Sequence, residues 1–109
     1  MKSLYAQYIE LREGMGIVEN SVGFASYKIA GEECYIRDVY VSEEGRKNMT
    51  AWNFIDQVAS IARASNCKFI TTTVYTNANG SSKSTLAILG YGFKILRCEN
   101  NLIVFKKEL

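Results

Sequence analysis

The sequence predicts an α/β (α+β) chain: a mixed, mostly antiparallel central sheet with one parallel strand-helix-strand crossover. Three observations predict it. Residues 33–41 (ECYIRDVYV) are rich in aromatic and β-branched types, residues 46–65 carry a helical apolar period, and residues 68–75 (KFITTTVY) are again strand-like. A strand, a helix of that length and a second strand form a right-handed parallel crossover. On either side of this unit, two short alternating segments meet at a polar turn and read as hairpins. Finally, 109 residues suffice for one continuous core and not for two, so residues 1–109 are expected to be a single domain.

Residues 3–13 are read as a helix with Leu4, Tyr8 and Leu11 on one face, although Tyr5, Gln7, Ile9 and Leu11 also suit an alternating strand. Gly14 and Gly16 end it. Strands at 17–19 and 22–29 follow around a tight turn at Asn20 and Ser21, and Ala30, Gly31 and Glu32 turn the chain into the strand at 33–41. On that strand, simple alternation puts Asp38 and Tyr40 on the side of Ile36, with Arg37, Val39 and Val41 opposite. Ser42, Glu43 and Glu44 then set a capping hydroxyl and two acids before a helix. In it Ala51, Ile55, Val58, Ala59 and Ala62 recur at three- and four-residue steps. Asn66 ends this helix, and after strand 68–75 a polar loop at 77–82 leads to a short helix at 83–89, stopped by Gly90 and Gly92. Strands at 93–98 and 102–106 close the chain as a hairpin turning at Glu99, Asn100 and Asn101.

Absences restrict the chemistry. Thirteen basic residues against eleven acidic ones, dispersed along the chain, leave no footprint for nucleic acid. No apolar run reaches the length of a membrane span, and the start MKSLYAQ has no apolar region behind its lysine, so a soluble, cytoplasmic protein is expected. With no histidine there is neither an imidazole base nor a histidine-ligated metal, and no metal site is expected. Cys34, Cys67 and Cys98 are odd in number and far apart, which suits buried thiols in a reducing compartment better than a zinc site or a disulfide framework. Trp52, Phe54, Phe69, Phe93 and Phe105 are assigned to the core or to partner contacts.

A helix starting near Arg46 offers unpaired N–H groups and the positive end of its dipole, which suits a pyrophosphate. The amides of residues 46–51 would supply the donors, and Arg46 and Lys47 the charge. Three stretches carry a family resemblance: VGFASY at 22–27, DVYVSEEGRKNMTA at 38–51 and NGSSKSTLAILGY at 79–91. Over about residues 15–107, in order and spacing, they resemble the GNAT superfamily of acetyl-CoA-dependent N-acetyltransferases. The stretch at 38–51 is similar to its cofactor motif, Arg/Gln-x-x-Gly-x-Gly/Ala after a strand ending in Val. The stretch at 79–91 is similar to its Asn-x-x-Ala-x-x-Leu-Tyr-x-x-x-Gly-Phe segment. Met49 stands at the first glycine of the former and Ala51 at its second small position. Asn79 matches the asparagine of the latter, and Leu86 stands where a tyrosine is frequent, an acid that leucine cannot replace. About fourteen residues precede Met15, where the family has a strand and two helices that wall the acceptor site.

The resemblance implies a GNAT-like fold and acetyl transfer from acetyl-CoA (CoA) to a primary amine, the acceptor being unspecified. The implied acyl-CoA contacts are Val39, Val41, Arg46, Lys47, Asn48, Met49, Thr50, Ala51 and Asn79. A backbone amide near Val39 or Tyr40 would polarise the thioester carbonyl. Asp38 would act as base through a water, and Tyr75 or Tyr91 could replace the absent acid. The alternative is a catalytically inactive protein of the same fold that binds or inhibits a partner, of the small kind encountered in phage genomes. A sheet short of covering helices is expected to self-associate as a homodimer through Tyr5, Tyr8 and Ile9 or through the aromatics of the closing hairpin.

Overall fold

The computed structural model describes residues 2–47 and 50–109. The elements run α1 (Leu4–Glu13), β1 (Gly16–Glu19), β2 (Gly23–Ala30), β3 (Glu33–Val41), a 3-10 turn (Gly45–Lys47), α2 (Ala51–Ala64), β4 (Phe69–Tyr75), α3 (Ser81–Tyr91), β5 (Lys94–Glu99) and β6 (Leu102–Glu108). The six strands form one sheet in the order β1-β2-β3-β4-β6-β5. Only β3 and β4 are parallel, as the crossover through α2 requires, and the other neighbours are antiparallel.

One face of the sheet carries the core. Ala25, Cys34, Ile36, Val41, Ile70, Val74 and Phe105 meet Phe54, Ile55, Val58, Ala59 and Ala62 of α2, with Phe93 behind α3. Thus the helical period read from residue 51 onward is the buried stripe. The helix itself starts later than residue 46. Thr50 is its N-cap and its N–H donates to Asn53 Oδ1 at 2.7 Å. Ser42 instead accepts from the Gly45 amide at 3.1 Å and caps the 3-10 turn. Nor does Gly90 stop α3. The helix continues to Tyr91, and Gly90 makes room for the Trp52 ring, since a Cβ there would lie 3.0 Å from Trp52 Cζ2. Gly92, at φ 118°, ends the helix in a conformation that favours glycine.

On the opposite face α1 covers part of β1 and β2. It is helical, as expected, but its faces are reversed: Ala6 and Ile9 are buried while Leu4 and Leu11 are 83% and 82% exposed. Ser3 sets its start, accepting from the Ala6 amide at 3.0 Å and donating its hydroxyl to Glu19 at 2.7 Å. This pulls the helix onto the end of β1 and holds the Glu19 carboxyl below its ordinary pKa. Ile9 is therefore unavailable as a contact for a second copy, as are Phe93 and Phe105, both buried. Tyr5 and Tyr8 are exposed. Cys34 and Cys67 are buried as expected, whereas Cys98 is exposed on β5.

The largest departure from the sequence reading lies in β3. Ser26 pairs with Asp38 but Tyr27 pairs with Ile36, so Arg37 is an extra residue and the ladder bulges there. The bulge shifts the alternation by one. Ile36 faces α2 together with Val39 and Val41, while Arg37, Asp38 and Tyr40 face the α1 side. Asp38 and Tyr40 share a side as expected, but not with Ile36.

Candidate active site

The β3–β4 ladder stops early. Its register runs from Glu33↔Phe69 to Ile36↔Thr72, after which the two strands part although both continue for several residues. Where they separate, the Thr72 hydroxyl donates to the Ile36 carbonyl at 2.9 Å, satisfying the last β3 acceptor with a side chain. Beyond it, the Ser42 amide bonds Val22 on the β2 side, and alternation along the strand turns the N–H and C=O of Val39 and Val41 the other way, towards the gap. Those of Val39 face a cleft of about 550 Å³.

The cleft passes between the strands from one face of the sheet to the other. On the core side it is bounded by Ala51 and Ile55 of α2 and by Ala87 and Ile88 of α3; on the α1 side by Tyr5, Phe24, Asp38 and Tyr40; and along β4 by residues from Thr72 to Tyr75. At the head of α2, the Asn53 amide already bonds Thr50 O at 3.1 Å, so those of Ala51 and Trp52 are its leading donors. Trp52 also fixes the far wall, its indole N–H donating to Ala87 O at 2.8 Å.

Of the predicted site residues, Asp38, Val39, Tyr40, Ala51 and Asn79 come together on the cleft. Val41 is not on the cleft wall, its side chain being buried in the core. Arg46 lies 5.9 Å from the Tyr40 ring centroid, off the cleft walls. Thr50 is the N-cap, and Lys47 closes the 3-10 turn. Asn48 and Met49 lie outside the described residues. Asp38 Oδ2 accepts from Ser26 Oγ and from Arg37 Nε, each at 2.8 Å, and Arg37 reaches on to Glu13 at 2.6 Å. The two carboxylates push the pKa of Arg37 upward.

Leu86 is not on the cleft. It is 71% exposed, and the α3 face presented to the cleft is Ser81, Ser84, Ala87 and Ile88. Tyr91 is also elsewhere: its hydroxyl donates to the Asp56 carboxylate, and burial with that bond raises its pKa to about 12. Tyr75 does line the cleft. Sequence reasoning missed Tyr5 and Phe24, which read as ordinary helix and strand residues, and it missed Thr72, whose role depends on where a ladder ends. The signal for Phe24 was its register opposite Tyr40.

No helix among the described residues is long and apolar enough to cross a membrane. The chain matches the acetyltransferase (GNAT) family over residues 4–91. By sequence, no curated protein matches it. Among solved structures it is similar to the PaiA N-acetyltransferase of Thermoplasma acidophilum in complex with coenzyme A, with TM-score 0.71, 15% identity, 81% of this chain and 54% of that one. It is similar to Ard1 of Thermoplasma volcanium, with TM-score 0.67, 21% identity, 81% of this chain and 63% of that one. It also resembles an Agrobacterium tumefaciens protein considered an acetyltransferase, with TM-score 0.70, 14% identity, 100% of this chain and 95% of that one. The matched region spans 54% to 64% of the length of the first three solved structures. By its sequence match over most of its length, and with a sheet parted at its parallel pair, the chain belongs to the acetyltransferase (GNAT) family.

Proposed function

We propose that this protein is an N-acetyltransferase that takes acetyl-CoA as donor and a primary amine as acceptor. The observation that carries the reading is the parting of β3 from β4 beyond Ile36 and Thr72, with the Val39 N–H and C=O turned into the gap. Free backbone groups along a strand fit the amides of a pantetheine arm, as a strand fits its neighbour. The head of α2, with small Ala51 beside it and Arg46 one turn before, fits the phosphates. Acetyl-CoA, when bound, supplies an activated thioester. The Val39 N–H is the donor for a carbonyl oxygen that gains charge. Asp38, held by Ser26 and Arg37, accepts through a water the proton that the amine loses. Tyr75 is the phenol on the cleft wall able to return one. The reading extends to a homodimer using the exposed Tyr8 face of α1, Tyr5 lying instead on the cleft.

Titration calorimetry with acetyl-CoA and with CoA tests the donor site. Both should release or absorb heat with one site per chain, and Arg46→Ala should weaken binding and flatten its salt dependence. Neither heat nor a rise in melting temperature at saturating acetyl-CoA would sink the reading.

A further inference from the structure

We propose that the acceptor is a primary amine carried on a flat, apolar body, an arylalkylamine, bound at the α1 end of the cleft. This rests on the transferase reading and narrows it. Three rings from three elements gather there: Tyr5 lies 5.3 Å from Phe24, and Phe24 lies 5.9 Å from Tyr40, centroid to centroid. None is core. Tyr5 and Tyr40 are 44% and 50% exposed, and Tyr75, on the opposite wall, is 61% exposed. Aromatic faces held apart from the core, in a cleft of the size that encloses a small molecule, favour another flat ring and attract a cation.

A carboxylate beside these rings offers an ammonium its partner. Glu13, Arg37 and Asp38 form one chain of contacts, and with Arg46 over Tyr40 two carboxylates meet two guanidiniums, so it is the placement of Asp38 and not a net charge that selects a cation. Both hydrogen bonds to the Asp38 carboxylate end on Oδ2, so among the described residues Oδ1 is without a hydrogen-bond partner. Ser26 and Arg37 thereby fix the carboxylate while leaving one oxygen for an ammonium group. Arg46 lies over the Tyr40 ring and is not among the residues that bound the cleft. A long aliphatic polyamine would leave the rings unmatched and carry more charge than one carboxylate oxygen offsets.

Calorimetry in the presence of saturating CoA, with 2-phenylethylamine, propylamine, spermidine and 2-phenylethanol, tests this. The arylalkylamine should bind about tenfold tighter than propylamine or spermidine, and tighter than the alcohol, which keeps the ring and lacks the charge. Tyr5→Leu, on the exposed side of a helix, should weaken 2-phenylethylamine several-fold with CoA affinity and melting temperature unchanged. Phe24→Leu should weaken it likewise at unchanged CoA affinity, with a lower melting temperature because its half-buried ring packs on Tyr5 and Tyr40, and Asp38→Asn should abolish the preference over 2-phenylethanol. Equal affinities for 2-phenylethylamine and propylamine, or two leucine variants that bind like the parent, would overturn the proposal. If CoA fails to bind, the donor reading falls by itself. The same amine series is then measured without CoA, where the stated preferences uphold this site and their absence overturns it.

Discussion

Tyr91 shows how one side chain can be legible in identity and misleading in role. Its phenol is bonded to Asp56 and raised to about 12 from an ordinary value of 10, mainly by burial. The folded chain therefore keeps a proton that the unfolded chain releases near pH 10. Its contribution to stability is complete below that pH and is lost as pH rises to about 12. Burial raises Tyr27 as well, so the alkaline decline is shared. Urea unfolding across this range should show Tyr91→Phe declining less steeply than the parent; superimposable curves would mean that neither burial nor the bond to Asp56 holds the phenol above its ordinary value. At this scale Asp38 and Tyr40 were read from the alternation of their strand, and Val39, Ala51 and Asn79 from the resemblance at 38–51 and 79–91; all five lie on the cleft. The bulge was not, since an arginine at position 37 looks like any exposed strand residue.

Among the elements, α3 has the weakest hold. It has no buried residue of its own and is fastened by the Trp52 bond to Ala87 O, by Tyr91 on Asp56 and by Phe93 beyond its end. Trp52→Phe keeps a ring against Gly90 and removes the N–H. It should cost about 1 kcal/mol, which lowers Tm by roughly 4–8 °C in a domain near this size. Amide exchange in α3 should quicken more than in α2, and equal changes in both would argue against a clamp. The strand of residues 33–41 was read to the residue, because its composition changes sharply at both ends. The start of α2 was misplaced by five residues, since Ser42 with two acids after it has the chemistry of a cap and serves a shorter turn. The face of α1 was misassigned because its apolar residues surround the helix, and Ala6, the smallest, takes the buried place.

For the molecule as a whole, the two hairpins and the crossover followed from the sequence, because turn residues and one long amphipathic helix mark them, whereas the insertion of β6 between β4 and β5 did not. What surface remains uncovered did not follow. Leu4, Tyr8 and Leu11 make an apolar stripe along the outside of α1. Burying it between two copies is the expected basis of the homodimer. Sedimentation equilibrium should give a dimer mass that Leu4→Glu with Leu11→Glu converts to monomer at unchanged melting temperature. A monomer mass for the parent at the highest concentrations would refute it.

The extra residue at Arg37 also governs which genetic changes β3 can bear. Substitution leaves the count of residues intact: Arg37→Ala loses contacts to Glu13 and Asp38 and should still give folded protein. Removing the codon takes away the extra residue itself. Ile36 then runs into Asp38 in plain alternation, so Asp38 and Tyr40 keep the α1 side, Val39 and Val41 keep the α2 side, and the ladder to β2 closes without a bulge. The Arg37 deletion should therefore be as soluble as the alanine variant, whereas loss of Val39 should put the residues after it on the wrong faces and give insoluble protein; an insoluble Arg37 deletion would show that β3 needs the bend of the bulge as well as its register. The strand can thus lose a letter at the bulge and not beyond it.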